Sequence, residues 1–197
     1  MAEPKRCGWC EGDALYEAYH DQEWGVPVLD DQNLFEFLSL ETFQAGLSWI
    51  TVLRKRQNFR EAFDDFDYRK IALYEEPKIM ELMENAGIIR NQLKIRATVN
   101  NAQQFIKLQD EFGSFCRYIW NFVDGTPIQN QVRNYKEAPA TTAISDQLSK
   151  DLKKRGFKFT GSTVIYAHMQ ATGMVNDHEI DCFRYEEIRK LGEKMKI

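Results

Sequence analysis

The cysteines and histidines of this sequence gather near its two ends, where they could bind a metal ion. Cys7 and His20 lie close to the N-terminus, and His178 and Cys182 stand four residues apart near the C-terminus. Residues four apart share one face of a helix. Two cysteines and two histidines make a closed tetrahedral ligand set that is typical of structural zinc. The spacing matches no common zinc finger, and the alternative is that these residues fell at the two ends by chance.

The other cysteines have more ordinary interpretations. Cys7 and Cys10 form a C-x-x-C pair, which is a redox site in thioredoxin-like proteins. Such a site normally follows a strand, and only six residues precede Cys7. Cys10 is therefore either a fortuitous neighbour or a spare ligand. Cys116 lies in the aromatic stretch FCRYIWNF and is expected to be a core thiol.

One carboxylate falls on an apolar stripe. Leu34, Leu38, Glu41 and Ala45 follow helical spacing, so Glu41 is expected to be buried. A buried ionised carboxylate is costly unless donors or a cation accompany it. It is either tied into backbone caps or bound to a ligand. The aromatic residues near it in the sequence are Trp49, Tyr16, Tyr19, Trp9 and Trp24. Such residues can stack on a flat base whose N–H groups the carboxylate accepts, although aromatic clusters are also common in plain cores.

Positive charge is concentrated in short runs, although the chain carries a net charge of −4, which disfavours nucleic-acid binding. The strongest run, residues 149–158, holds five basic residues and one acidic residue and includes a Gly turn. A second run is 54–56, and Arg90, Lys94 and Arg96 follow the glycine-containing turn at 85–87. That turn can offer backbone N–H groups to a DNA phosphate. The ordinary interpretations are solvated helix faces and a plain helix connection.

Frequent helix caps and scarce strand signals favour an all-α bundle with short loops that would position these residues. The best strand candidate, 156–166, is short and interrupted by Gly161. Predicted helices run from Asp13 through His20, from Asp30 or Asp31 to about Ala45, from Ser48 to about Phe63, from Pro77 to Asn85, from Asn91 onward, and over about 114–122, 142–155 and 162–175.

Length and composition favour a single domain, 1–197, with a helical core over 30–173. The apolar fraction is 43%, which provides a sizeable core without disulfides. No apolar run approaches the roughly 20 residues that a membrane span needs. The N-terminal residues lack an apolar signal core. We therefore expect a cytoplasmic monomer with reduced thiols and no membrane partner.

Six segments resemble the 3-methyladenine DNA glycosylase I family, within the helix-hairpin-helix glycosylase superfamily. They occur in the family's order between residues 6 and 178. The segments are RCGW (6–9), YHDQEWG (19–25), LETFQAGLSWITVLRKRQNFREAF (40–63), AGIIRNQLKI (86–95), SDQLSKDLKKRGFKFTGST (145–163) and MQATGMVNDH (169–178). Thr42 and His168 depart modestly from the family's pattern, which puts fine substrate preference in doubt.

The resemblance implies a helix-hairpin-helix glycosylase bundle whose terminal segments, 1–25 and 174–185, are joined by one structural zinc ion. The implied zinc ligands are Cys7, His20, His178 and Cys182. Glu41 would bind the base edge as the catalytic carboxylate, in a pocket of Trp49, Tyr16 and Tyr19 with Trp9 and Trp24 close by. The implied DNA-binding residues are Gly46, Leu47, Ala86, Gly87 and Ile88, and the basic run adds Lys153, Lys154 and Arg155.

The implied activity is excision of 3-methyladenine from alkylated double-stranded DNA, with the free base as product. Methylation at N3 makes the base cationic and its glycosidic bond weak, so the enzyme need only flip the nucleotide and hold the base. No lysine lies in the matching pocket segments, which predicts a monofunctional enzyme that uses water. The main alternative is a non-catalytic, zinc-clamped helical DNA- or nucleotide-binding module. A hydrolytic zinc enzyme is disfavoured because four protein ligands leave no open position.

Overall fold

The computed structural model describes residues 4–195, so residues 1–3 and 196–197 of the predicted domain lie outside the described residues. The first two helices begin at the aspartates that the sequence predicts as caps. Asp13 accepts hydrogen bonds from the first amides of α1 (Ala14–Gln22). Asp30 accepts from the amide of Asn33 in α2 (Asp31–Gln44). About 61% of the protein is helical, as the all-α prediction requires.

The predicted helix from Trp49 to Phe63 is wrong, because the chain breaks it into α3 (Trp49–Leu53) and α4 (Arg56–Ala62). The side chains of Lys55 and Arg56, at the break, contact residues that are distant in sequence. Lys55 donates to the carbonyls of Ala86 and Gly87, and Arg56 forms a buried ion pair with Glu36. Neither partner is visible in the local sequence.

The later helices are α5 (Tyr68–Ile71), α6 (Glu76–Glu84), α7 (Gln92–Phe112), α8 (Phe115–Trp120), α9 (Ala143–Lys154), α10 (Ser162–Ala171) and α11 (Phe183–Glu193). Two of them begin at the predicted residues, since Pro77 lies in the first turn of α6 and Asn91 caps α7. Ser114 caps α8, and Thr142 forms a capping box with Ser145 at α9, within the predicted ranges. The sequence did not predict α5 or α11.

A short parallel pairing follows α10 and was not predicted. The helix expected over 162–175 ends at Ala171, and β2 (Val175–Asn176) pairs with β1 (Ile128–Gln129). Gly173 turns the chain at φ +72°, and a Cβ there would lie 2.5 Å from the backbone nitrogen of Pro27. Only glycine fits this close approach. Residues 156–161 form a loop rather than the candidate strand, and α10 begins at Ser162.

Helix α2 is the central helix of the fold. All its residues from Leu34 to Phe43 are buried, and it packs against α10, α7, α3 and α8. A helix that is buried all round has no solvated face for a charged group. It carries two buried carboxylates, Glu36 and Glu41. Within residues 4–195 no helix combines the length and the apolar character needed to cross a membrane.

Candidate active site and metal-ligand cluster

The four predicted metal ligands lie together and are buried. One ligand atom from each of Cys7, His20, His178 and Cys182 falls within a group no more than 4.8 Å across. The Cys7 Sγ lies 3.5 Å from the His178 Nδ1, and the Cys182 Sγ lies 3.4 Å from the His20 Nε2. Tetrahedral bonds of about 2.3 Å to sulfur and about 2.0 Å to nitrogen would place such atoms roughly 3.5 Å apart. The cluster therefore has the size of a tetrahedral metal site.

Surrounding groups orient both imidazoles toward the centre of the cluster. The His20 Nδ1 lies 2.8 Å from the Asp21 carboxylate, and the His178 Nε2 lies 3.1 Å from the Trp24 carbonyl oxygen. These acceptors engage one ring nitrogen of each histidine, leaving the other free to bind a metal. A hydrogen bond from the Cys7 thiol lowers the pKa of Cys182, and the two histidines add to that effect.

An aromatic cavity with a volume of about 220 Å³ lies beside the cluster. Helices α1, α2, α3 and α10 supply part of its lining, and loop residues supply the rest. It brings together the predicted pocket residues and Glu41. The lining residues are Trp9, Tyr16, Tyr19, Trp24, Glu41, Gln44, Trp49, Tyr135, Ala138, Ala167, Gln170 and Asp177.

Glu41 is the most unusual side chain of the cavity. It is 4% exposed, and its Oε2 has no hydrogen-bond partner within the described structure. Burial raises the pKa of Glu41 to about 8. The indole N–H groups of Trp9 and Trp49 are also buried without a partner. Buried polar atoms in native proteins are nearly always satisfied, so three orphans around one cavity indicate a ligand.

Aromatic contacts form the walls of the cavity, edge to face around Trp9 and tilted between Tyr19 and Trp49. Trp9 lies 4.9 Å from both Tyr16 and Trp24 between ring centroids, and Tyr19 lies 5.5 Å from Trp49. Burial raises the pKa of Tyr16 to about 12, so its hydroxyl stays protonated at neutral pH. The cavity therefore offers flat apolar faces, unpaired donors and one unpaired acceptor.

The turn after α2 lies at the edge of the cavity, next to Gln44. Gly46 adopts φ +82° and Leu47 is 42% exposed. Buried Lys94 donates to the carbonyls of Phe43 at 2.8 Å and Ala45 at 2.6 Å. Lys94 was grouped with the basic residues that follow the hairpin. The structure instead uses it to cap α2 and hold this turn.

The turn between α6 and α7 is the predicted hairpin. The Gly87 N–H donates to the Asn85 side chain at 2.8 Å, and the Ile88 N–H donates to the Asn85 carbonyl at 3.3 Å. Ile88 is buried, while the Ala86 and Gly87 carbonyls accept from Lys55. The turn is thus rigidly held, and two of the amides expected to meet a phosphate already donate within it.

The basic runs differ in their surroundings. Lys153 and Lys154 are exposed at the end of α9, whereas Arg155 pairs with Asp151 and Glu111. The guanidinium of Arg155 also lies over two aromatic rings. Both arginines of the run 54–56 form ion pairs within the protein: exposed Arg54 pairs with Asp13, and buried Arg56 pairs with Glu23 and Glu36.

Several cavity residues were not singled out from the sequence. Asp177 belongs to the VNDH segment and carried a usable signal, since it precedes a predicted metal ligand. Gln170 lies in the same matching segment, 169–178, whereas Tyr135, Ala138 and Ala167 carried no signal, because they lie outside the matching segments and far along the chain. Cys10, buried beside the cluster, donates its thiol to the Cys7 carbonyl, and Cys116 is buried.

A buried unpaired acid between aromatic walls is typical of proteins that enclose an extrahelical base. The chain matches the methyladenine glycosylase family over residues 9–185. DNA-3-methyladenine glycosylase 1 of Escherichia coli (strain K12) is 49% identical over 181 residues, which cover 92% of this chain and 97% of that protein. DNA-3-methyladenine glycosylase of Haemophilus influenzae (strain ATCC 51907 / DSM 11121 / KW20 / Rd) is 48% identical over 177 residues, covering 90% and 96%.

Solved structures agree with these relatives. The 3-methyladenine DNA glycosylase I from Staphylococcus aureus is 37% identical, covers 90% of this chain and 95% of its own, and superposes with a TM-score of 0.88. A 3-methyladenine DNA glycosylase I solved in complex with 3-methyladenine is 36% identical over 90% of this chain and 96% of its own, also with a TM-score of 0.88. The chain therefore belongs to the methyladenine glycosylase family.

Proposed function

We propose that this enzyme is a monofunctional DNA glycosylase that hydrolyses the N-glycosidic bond of 3-methyladenine in alkylated DNA by base flipping. The observation that carries the proposal is the unpaired Glu41 carboxylate, buried beside two unpaired indole N–H groups in an aromatic cavity. A flat cationic base with an exocyclic amine supplies Glu41 with both a positive charge and N–H donors. The relatives bear the names of enzymes that act on this base.

Glu41 distinguishes the alkylated base by charge. Burial raises its pKa to about 8, so Glu41 without a charged partner is mainly protonated at neutral pH. A cationic base that enters the cavity favours the ionised form, because an opposite charge at close range lowers a carboxyl pKa. Unmodified adenine brings no such charge. The faces of Tyr16, Tyr19 and Trp49 add stacking and cation–π attraction, which desolvation strengthens.

The reaction breaks the bond between C1′ of the sugar and N9 of the base. The bonding electrons pass to the base, which leaves neutral, and water adds to C1′ with loss of a proton. No lysine is found among the described lining residues, so no amine is placed to form a Schiff base. The proposal therefore expects borohydride to trap no covalent protein–DNA adduct.

The DNA itself would bind across the turns at the edge of the fold. Gly46 and exposed Leu47 stand beside the cavity and would enter the gap that the flipped nucleotide leaves. The α6–α7 hairpin around Ala86, Gly87 and Ile88 would lie along the backbone. Phosphate contacts would come from Lys153 and Lys154, with Arg155 beside them.

Zinc fits the cluster of two cysteines and two histidines, and it would be structural. All four positions of a tetrahedral ion would be filled by Cys7, His20, His178 and Cys182, so no position remains for a reacting water. The ion supplies folding energy when bound. It would join segments 1–25 and 174–185 around the helical core 30–173 in one domain, 1–197. We propose that this domain acts as a cytoplasmic monomer.

Release of the free base tests the proposal. Purified protein is incubated with DNA methylated by a simple alkylating agent, and the released bases are separated by chromatography. The proposal expects 3-methyladenine to appear at a rate far above the spontaneous one. A non-catalytic DNA-binding module would bind the same DNA and release no base.

A further inference from the structure

Asp177 is a second buried carboxylate of the base cavity, and no role has been given to it. It is 4% exposed and lines the cavity together with Glu41. It lies between β2 and the cluster residue His178. Its backbone position follows from the turn at Gly173 and the pairing of β2 with β1.

Three neutral donors hold the Asp177 carboxylate in place. Asn130 Nδ2 donates to Oδ1 at 2.6 Å. The Tyr166 hydroxyl and Gln170 Nε2 each donate to Oδ2 at 2.7 Å. Such donors stabilise an ionised carboxylate, and Oδ1 keeps one acceptor direction free. Asp177 therefore differs from Glu41, which has no donor on Oε2.

The wall that holds Asp177 leads to the rim of the cavity. Asn130 begins the segment that carries Tyr135, which is 36% exposed and lines the cavity. That segment is tied to the chain after Asp177, since the Tyr135 N–H donates to Glu179 Oε1 at 2.8 Å. Glu41 enters the cavity from the central helix α2, so the two carboxylates line it from different elements. A flipped nucleotide whose base contacts Glu41 would place its sugar toward Asp177 and the exposed Tyr135.

The reaction requires an anion on the sugar side. The base is cationic in the ground state and neutral when it leaves, so attraction between Glu41 and the base weakens as the bond breaks. Attraction that is stronger in the ground state does not accelerate a step. The positive charge moves to the sugar in the same step, so a fixed anion near C1′ gains attraction in the transition state.

We infer that Asp177 is a further catalytic residue, which stabilises the cationic sugar while the C1′–N9 bond breaks. This inference rests on the proposed glycosylase function. The electron pair of that bond passes to N9 of the base, and the sugar cation is then captured by water, whose proton is lost to solvent. Asp177 keeps its charge throughout and forms no bond to the substrate.

Asp177→Asn tests the inference because it removes the charge and keeps the shape. The Asn130 amide can turn to present its oxygen to the new N–H, so the network stays satisfied. We expect the single-turnover rate of 3-methyladenine release to fall about 100- to 1,000-fold, as for loss of one transition-state contact. Binding of free 3-methyladenine, followed by indole fluorescence, should stay within about twofold, since the inner base contacts are unchanged.

Two further variants separate charge from structure. Tyr166→Phe removes one donor from the network and keeps the carboxylate, so it should lose less than about threefold in rate. The exchange variant Asn130→Asp with Asp177→Asn keeps one acid and one amide in the pair but moves the charge away from the cavity lining. It should be as slow as Asp177→Asn, and it provides the test if the single variant does not fold.

The outcomes are distinct. Wild-type rates for either Asp177→Asn or the exchange variant would overturn the inference. Equal losses in Tyr166→Phe and Asp177→Asn would also overturn it, because the network and not the charge would then matter. A wild-type enzyme that releases no 3-methyladenine would instead overturn the proposed function.

Discussion

The indole of Trp24 stands edge-on against the imidazole of His178, with ring centroids 4.6 Å apart. The Trp24 carbonyl oxygen also lies 3.1 Å from the His178 Nε2. Trp24 lines the base cavity, and His178 belongs to the buried metal-ligand cluster. Trp9 repeats the arrangement against His20 at 5.5 Å. One wall of the cavity is thus built directly on the cluster that joins the two ends of the chain.

Loss of a cluster residue should therefore affect the cavity as well as the fold. Wild-type protein is expected to carry about one equivalent of zinc, measured by elemental analysis. Cys182→Ser should lose the metal, lower the melting temperature and weaken binding of free 3-methyladenine. Cys10→Ser is the matched control, because Cys10 is equally buried beside the cluster but is not one of its four ligands. A metal-free wild type of full stability would contradict the zinc proposal.

The ionisation of Glu41 should lower the free energy of unfolding as the pH rises. Replacement of Glu41 by Gln should remove this loss. Its folded pKa of about 8 exceeds its ordinary value of 4.5, so the unfolded chain loses the proton first. Stability from this group is complete below about pH 4.5 and is lost as the pH rises through 8. Glu41→Gln should therefore gain free energy of unfolding over wild type between pH 5 and 9, with an upper limit of about 5 kcal/mol.

Urea unfolding of wild type and Glu41→Gln at pH 5 and at pH 9 measures this difference in free energy of unfolding. Glu36→Gln is the control, because Glu36 is equally buried on α2 but pairs with Arg56 and Arg60. It should destabilise the protein, since it leaves the buried Arg56 guanidinium with only one of its two carboxylate partners. If Glu41→Gln lost as much stability at pH 9 as Glu36→Gln, Glu41 would be a structural carboxylate.

The sequence predicted what depends on local signals. Asp13, Asp30 and Asn91 begin helices because their side chains cap nearby amides, and burial of Glu41 follows from helical spacing. The break at Lys55 was missed because its cause is a set of carbonyls in a distant turn. Asp177 had its place in the VNDH segment as a signal, but its position at the cavity depends on pairing between strands far apart in sequence. The same holds for Lys94, whose basic charge indicated DNA and whose partners are the carbonyls at the end of α2.

The basic residues at the end of α9 should have two different functions. Neutralising Lys153 and Lys154 together should weaken binding to all DNA sequences alike and reduce its salt dependence, as phosphate contacts do. Arg155→Ala should mainly lower stability, because Arg155 pairs with Glu111 and Asp151 and lies over Phe112. DNA binding at several salt concentrations and thermal unfolding measure the two effects. An unchanged salt slope in the double lysine variant would make those residues a solvated face.

Leu47 should matter for duplex DNA and little for the fold. It is 42% exposed in the turn at the cavity edge, where it would fill the gap left by the flipped nucleotide. Leu47→Ala should slow excision from double-stranded DNA more than from single-stranded DNA. A nucleotide that flips out of a single strand leaves no gap in a base-paired stack for Leu47 to fill. Leu191→Ala is the matched control, since Leu191 is 43% exposed on α11. Equal rates for both variants on duplex DNA would exclude the predicted role.

Release of 3-methyladenine by Glu41→Gln measures the central claim, that this buried carboxylate binds the alkylated base. The variant keeps the shape of the side chain but removes its charge and replaces an acceptor by an amide. Loss of a charged acceptor in a buried site costs about 1.5–3 kcal/mol. That corresponds to roughly a 10- to 150-fold lower rate of release from methylated DNA, as kcat/KM. Zinc content and affinity for undamaged DNA should be unchanged. Excision at the wild-type rate would contradict the claim and place the base elsewhere.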